Sequence, residues 1–489
     1  MRDDELRRML ALANPWWASA ASGDRLEWTR THRLLAGRSG LDLGYRAHIL
    51  DDVALGPLDD SLVVLTGPRR IGKSVAMLDA IAALCARREI DPRQIIQVQC
   101  DGMKGRDLRR VITLGRSLTA SVDTPQARQR IWFFDEISSI DGWTSVVKQA
   151  RDLSEFGDDC VVATGSRWTG SEAIYGHLMT GRAGSGARRR VRQLLPMTFR
   201  DYLAATTPTL PRPAAGDPTE LQSEHCRKAL DELAFLTDDY DLAWQNYLTS
   251  GGFPRATAEH ARSGAVSAAF CRDLVGWLRT DIDPDAPQES VPLLLAELAE
   301  RATSPLNLRH LSSALNYGSP GVLGRRIARM INSCAAVQCH QRDDEGRAVP
   351  GAQFKLYLVD PLLSWVPGQL SVGPTVPDFT GLTEAALAVA MARRIDEADE
   401  GRWADNDTIG YTRSGKGNEI DLAPSRIPTV NGPATTTPIE SKWVDSGWRG
   451  ESRVIAAKYG SGIVATKSVL DLTHPVWAVP APLVALLLG

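Results

Sequence analysis

Four short apolar runs punctuate the first third of the chain: "SLVVLTG" (61–67), "QIIQVQC" (94–100), "RIWFFDEI" (130–137) and "CVVATGS" (160–166). Runs this short, rich in β-branched and aliphatic residues, suit strands buried on both faces. Lys73 to Arg87 carries a helical pattern instead, and alternation of strands with helical stretches predicts parallel βαβ units. Ahead of them, residues 4–12 read as a short helix that "NPWW" ends, because Pro15 disfavours helix just before it. Past Pro196 the pattern turns helical. "MTFRDYLAA" and Leu221–Leu236 are separated by the proline-rich "TTPTLPRPAAGDP". Residues 286–345 hold three short helical segments and then an apolar stretch, an order that fits a winged helix-turn-helix. From Phe354 strands return as "FKLYLVD", "TIGYTR", "NEIDLAP", "TPIESKW" and "SGIVATK", and the helix "LTEAALAVAMARRIDEA" precedes most of them. The terminal "VWAVPAPLVALLLG" is apolar but broken by two prolines. It falls short of the ~20 residues of a membrane span, so a buried segment is expected.

Composition narrows the picture. A chain of 489 residues suggests roughly two to four domains at ~100–200 residues each. The net charge of −3 makes the molecule no polycation, so nucleic-acid contact must come from local basic patches. Seven cysteines are scattered without a CxxC pair, which argues for reduced thiols in a cytoplasmic protein rather than disulfides or zinc. Acids precede the first apolar stretch, unlike a signal peptide. No membrane partner is expected.

The first motif with chemistry is "GPRRIGKS". It fits GxxxxGK[ST] through Gly67, Gly72, Lys73 and Ser74. A glycine-rich turn lets backbone N–H groups wrap an anion, and the following helix N-terminus faces the phosphates. The expected ATP cradle is Gly67, Pro68, Arg69, Arg70, Ile71, Gly72, Lys73, Ser74 and Val75. Lys73 would reach the β and γ phosphates and Ser74 would bind Mg²⁺. Asp135, at the end of "IWFFDE", would hold the same Mg²⁺, and Glu136 would orient or deprotonate the attacking water. Thr164 or Ser166, closing the next strand, would act as a sensor of the γ-phosphate. The run "MTGRAGSGARRRVRQ" offers Arg182 as an arginine finger acting across a subunit boundary, which would call for a homo-oligomer. A solvated or phosphate-contacting loop explains the other arginines.

These motifs occur in one order with "ATGSR", Gly181-Arg182, "LLPMTFRDYL" and "YLTSGGFPRA". Together they resemble the prokaryotic AAA-type ATP-binding proteins with a C-terminal domain of unknown function (number 4143), from about Asn14 to about Leu472. The resemblance implies an α/β fold: a P-loop NTPase (AAA-type) core with helical lid, winged-helix segment and C-terminal restriction-endonuclease-like α/β domain. The expected division is 1–45 N-terminal helical segment, 46–200 ATPase core, 201–285 lid, 286–350 winged helix and 351–489 endonuclease-like domain.

That resemblance gives weight to "NEIDLAP" and "PIESKW". Asp421, Glu440 and Lys442 fit D-x(18)-ExK. Side chains alternate along a strand, so Glu440 and Lys442 share a face, as do Glu419 and Asp421. If the strands pair, Asp421 and Glu440 converge as Mg²⁺ ligands with Lys442 beside them, and Glu384 on the preceding helix completes the site. A surface ion pair has the same pattern. In "LNLRHLSSALNYGSPGVLGRRIARMI", Arg325, Arg326 and Arg329 lie on a second helix, where they would meet DNA or form a solvated face. Two functions follow. One is an ATP-hydrolysing AAA-type protein whose C-terminal domain binds and cleaves DNA with Mg²⁺, in a mobile-element or phage-defence setting suggested by the resemblance. The other is an ATP-dependent switch that binds DNA or a protein partner and keeps a degenerate nuclease fold.

Overall fold

The computed structural model describes residues 1–19, 23–120, 129–166, 178, 189–284, 287, 289–370, 378–413 and 418–489. The chain divides into two compact units, Met1–Leu195 and Pro196–Gly489.

The first unit is built on five parallel strands: β1 (Leu62–Thr66), β2 (Ile95–Gln99), β3 (Ile131–Asp135), β4 (Cys160–Thr164) and β5 (Val191–Gln193), in the order β2-β3-β4-β1-β5. β1 and β4 are buried at every position, as their unbroken apolar runs require. Four of the five strands match the apolar runs. β5 is three residues long and hides inside an arginine-rich stretch. On one face Trp132 and Phe134 stack, and Phe156 meets both edge-on.

The N-terminal helix Asp3–Ala13 ends in a contact that its sequence reading missed. β2 is an edge strand, and the "NPWW" segment covers it. Asn14 Oδ1 accepts the Gln97 N–H (2.6 Å), and Asn14 Nδ2 donates to Gln97 O (2.9 Å). The indole N–H groups of Trp16 and Trp17 both donate to Ile95 O at 2.9 Å. Side chains thus satisfy the outward backbone groups of an edge that would otherwise invite another strand.

The second unit begins with helices, including Phe199–Thr206, Glu224–Leu233, Thr237–Ser250, Pro254–Ser263 and Ala268–Ile282. The three expected helices of the middle segment are Ser290–Glu300, Leu308–Ala314 and Pro320–Asn332. The strands are β6 (Ala336–Gln341), β7 (Phe354–Leu358), β8 (Ile409–Arg413), β9 (Glu419–Ile420), β10 (Arg426–Thr429), β11 (Gly432–Thr435), β12 (Ile439–Ser441), β13 (Gly462–Thr466) and β14 (Val476–Pro480). They form a four-stranded sheet β7-β6-β8-β9, a parallel sheet β12-β13-β14 and the hairpin β10-β11. Reciprocal Leu422 and Ile439 hydrogen bonds (2.9 and 3.0 Å) link the two larger sheets. β6 pairs with β7 across residue 350 and with β8 as well. The expected boundary at 350/351 therefore falls in the loop of a hairpin that belongs to the larger sheet.

The terminal helix Ala481–Leu488 is buried at every residue, as an all-apolar helix must be. Arg200 donates to Leu486 O (2.7 Å) and the Gly216 N–H to Leu487 O (2.8 Å), capping its last carbonyls. Among the described residues no helix is long and apolar enough to cross a membrane.

The "GGFP" stretch is structural. Met197 N–H donates to Gly252 O (2.8 Å), and Asp360 accepts from Gly252 N–H (2.7 Å) and Leu362 N–H (2.9 Å). A Cβ on Gly252 would lie 2.3 Å from Met197 O, so the residue type is fixed by close backbone approach.

Candidate nucleotide site and C-terminal acid cluster

The glycine-rich loop leaves β1 at Thr66. Gly67 sits at φ +149°, where a Cβ would fall 2.1 Å from Leu194 O. Arg70 and Gly72 follow at φ +67° and +96°. The chain thereby curls through a left-handed stretch and enters the helix Lys73–Ala86, whose first-turn N–H groups and dipole face the loop. Lys73 is buried, and its ammonium donates to Gly67 O (2.9 Å) and Pro68 O (2.7 Å) across the loop.

The acids stand at the C-terminal end of β3, beside the end of β4. Asp135 closes β3 and Thr164 closes β4, between β3 and β1. Thr164 Oγ1 donates to Asp135 Oδ1 (3.0 Å) and accepts the Glu136 N–H (3.1 Å). Burial holds the Asp135 carboxyl above its ordinary value, opposed by hydrogen bonds from Ser74 and Thr164. Ser74 and Asp135, the two expected Mg²⁺ ligands, are therefore in contact. Glu136 adopts φ +53°, a left-handed position uncommon for a side chain of its size. Its Oε1 accepts from Ser166 Oγ, Ser166 N–H (3.2 Å) and Ser138 Oγ (3.3 Å). Ser166 thus grips the acid while Thr164 sets its backbone. Ser138 was absent from the sequence reading, although it follows Glu136 by two.

Arg182 lies outside the described residues. Arg192 is buried in a paired contact with Asp52 (2.5 and 2.7 Å) and donates to Ile49 O. It holds β5 to the segment before β1.

In the second unit Asp421 and Glu440 do converge. Asp421 N–H donates to Glu440 Oε2 (3.1 Å), and Ser441 N–H to Asp421 Oδ2 (3.0 Å). Glu384, on the helix Phe379–Ala398, joins them. The cation among them is not the expected one. Lys442 turns to Glu451 (3.0 Å) and is 43 % exposed. Lys355 of β7, with no exposed side-chain surface, pairs with Glu384 (3.0 Å), Glu419 (2.6 Å) and Asp421 (2.8 Å). Tyr357, two residues on, donates to Glu384 Oε1 (2.6 Å). Burial pushes Glu384 up to about 7 and Glu440 up to about 9, with the Asp421 charge adding to both. Lys355 is held above its ordinary value: the three carboxylates outweigh the burial that opposes them. Among the described residues no group of three or more His, Cys, Asp or Glu side chains is set to hold a metal ion. The expected set Glu384, Asp421 and Glu440 does not fit Mg²⁺ as arranged, because both Asp421 oxygens, Glu384 Oε1 and Glu440 Oε2 already serve Lys355, Tyr357 or strand N–H groups and an ammonium sits among them.

The middle helix pair also spends its charges internally. Arg326 pairs with Asp283 and lies 3.8 Å over the Tyr317 ring, while Arg329 donates to Ile282 O (2.7 Å). Of the three candidate arginines, Arg325 has its side chain exposed without such a contact.

Residues 59–203 match a protein family described as an AAA domain. No curated protein matches the chain. The Walker-type ATPase of Pyrococcus abyssi is similar to the chain at 15% identity, over 63% of this chain and 91% of that one, with a TM-score of 0.33. The Orc1 protein of Aeropyrum pernix, solved in complex with DNA, gives 14% identity over 68% and 92% at 0.29. RuvB of Thermotoga maritima gives 13% over 72% and 93% at 0.26. The AAA-domain match at 59–203 takes in the parallel α/β core and its glycine-rich P-loop.

Proposed function

We propose that this chain binds ATP with Mg²⁺ in its first unit and hydrolyses it. What carries the reading is one meeting of residues. The loop that delivers Lys73 and Ser74 after β1 brings Ser74 to Asp135 at the end of β3, with Thr164 on β4 between them bonded to the Asp135 carboxylate and to the Glu136 N–H. The loop fits a phosphate chain: Gly67, Arg70 and Gly72 at positive φ curl its backbone ahead of a helix N-terminus. Lys73 exchanges the carbonyls of Gly67 and Pro68 for phosphate oxygens. Ser74 and Asp135 would hold Mg²⁺, which would neutralise phosphate charge. Glu136, released from Ser166, accepts the proton of the attacking water.

The output lies with the second unit, and of the two readings the switch is favoured. Lys355 pairs with Asp421 and Glu384, two of the acids that a nuclease needs for its metal, and Lys442 is occupied by Glu451. ATP occupancy then drives binding to DNA or to a protein partner, with Asp421 and Glu440 structural. Lys73→Ala loses ATP binding, and Glu136→Gln binds ATP while hydrolysis falls by roughly a hundredfold or more. Normal turnover by Glu136→Gln would remove the base assignment. Mg²⁺-dependent cleavage of plasmid or single-stranded DNA that Glu440→Ala abolishes would replace the switch with the nuclease.

A further inference from the structure

We infer that the ammonium of Lys355 is the resident cation of the C-terminal acid cluster, standing where a nuclease-like site would hold a divalent metal. The inference rests on the switch reading and goes beyond it by naming the ion and its work.

An ammonium has three N–H donors. Lys355 finds three carboxylate partners, Glu384, Asp421 and Glu419, at 3.0, 2.8 and 2.6 Å. Its side chain has no exposed surface, so it cannot leave for solvent without unpacking β7. Two further oxygens serve the backbone. Asp421 Oδ2 accepts Ser441 N–H and Glu440 Oε2 accepts Asp421 N–H, next to the Leu422–Ile439 link between the sheets. Tyr357 holds Glu384 Oε1 from the same strand that supplies Lys355. One fully buried cation therefore ties together β7, the helix Phe379–Ala398 and β9, and through Asp421 it reaches β12. Mg²⁺ would draw on carboxylate oxygens of this cluster at about 2.0–2.1 Å and would be repelled by the ammonium already bonded among them. The work of Lys355 is positional: it aligns the strand ends and keeps the acids from demanding a metal.

The test is Mn²⁺ binding to the full, nucleotide-free chain, followed by electron paramagnetic resonance of the free ion. Wild type is compared with Asp421→Asn and Lys355→Met. The expected result is the same Mn²⁺ isotherm for wild type and Asp421→Asn, and a thermal midpoint of wild type that neither Mn²⁺ nor EDTA moves. Lys355→Met, relieved of the ammonium, gains a Mn²⁺ site at least tenfold tighter than any in wild type and is stabilised by the ion. A wild-type site that Asp421→Asn removes overturns the inference, whether or not DNA is cleaved. So does a folded Lys355→Met that gains no site. If Lys355→Met does not fold, the wild-type and Asp421→Asn isotherms decide alone. DNA cleavage is scored separately, so loss of the switch reading is seen independently of the metal result.

Discussion

Asn14→Ala is expected to loosen the edge of the nucleotide-binding sheet. Asn14 is 1 % exposed and Gln97 is 3 % exposed. The amide of Asn14 serves both backbone groups of Gln97, at 2.6 and 2.9 Å. Its Nδ2 also donates to Leu10 O (2.8 Å), which keeps the Asn14 N–H as a second partner. Truncation therefore orphans one buried donor and one buried acceptor on β2. At about 1–3 kcal/mol for each unsatisfied group, and with water reaching an edge strand more readily than a core, the loss is about 2–4 kcal/mol. Hydrogen exchange resolved by mass spectrometry on the peptide containing Gln97 reads this locally. Protection should fall roughly 30- to 1000-fold, at tenfold per 1.4 kcal/mol. The first urea transition should move to lower denaturant with little change of slope. Asn14→Asp separates hydrogen bonding from shape. It keeps the acceptor for Gln97 N–H but sets a carboxylate oxygen against Leu10 O and Gln97 O, so it should lose at least as much as alanine at neutral pH. A loss below about 0.5 kcal/mol for Asn14→Ala, with Gln97 exchange unchanged, would refute the edge-clamp account.

Gly67→Ala places a methyl 2.1 Å from Leu194 O, a backbone atom that cannot step aside. Titration with a fluorescent ATP analogue should show binding weakened roughly tenfold or more, and unchanged affinity would dismiss the loop geometry. Burial pushes Asp360 up from 3.8 to about 7, while hydrogen bonds from Gly252 and Leu362 and the charge of Arg393 resist the rise. The folded chain then keeps a proton that the unfolded chain has lost. The stability from this group is full below about pH 4 and is lost as pH rises through about 7, by about 4 kcal/mol as an upper bound. Urea midpoints across pH 4–8 should fall more steeply for wild type than for Asp360→Asn, and parallel profiles would contradict it.

The sequence carried the first unit well because its signals are local. Unbroken apolar runs gave four strands. The spacing of Gly67, Gly72, Lys73 and Ser74 is set by the path of one loop, and Asp135-Glu136 follow from a strand end. What it missed depended on distant partners. Asn14, Trp16 and Trp17 read as a helix stop, because nothing in "NPWW" names the strand edge that it covers. The hairpin β10-β11 was passed over, since Pro428 and Pro433 demote both arms. Its signal was Asn431-Gly432 at the turn, with Gly432 at φ +106°. Lys442 was chosen for its spacing to Glu440, and spacing fixes a face but not a partner. Lys355 was overlooked because a lone lysine in "FKLYL" reads as a solvent-facing position. Tyr357 two residues later, on the same face, was the available hint that this face was covered.

The two acid clusters differ in how their charges are met. Around the P-loop, Lys73 donates to two loop carbonyls, and Glu136 leans on two serines. These are neutral partners that a polyphosphate and its metal can replace without stranding a charge. In the second unit, Lys355 bonds three carboxylates at once with no exposed surface. Replacing any of those contacts leaves a buried ion uncompensated, which costs far more than losing a neutral hydrogen bond. The first arrangement is suited to exchange with a ligand, whereas the second is suited to permanence. On the proposed reading, chemistry and its cycling belong to the P-loop unit, and the acids of the C-terminal unit hold its sheets in register.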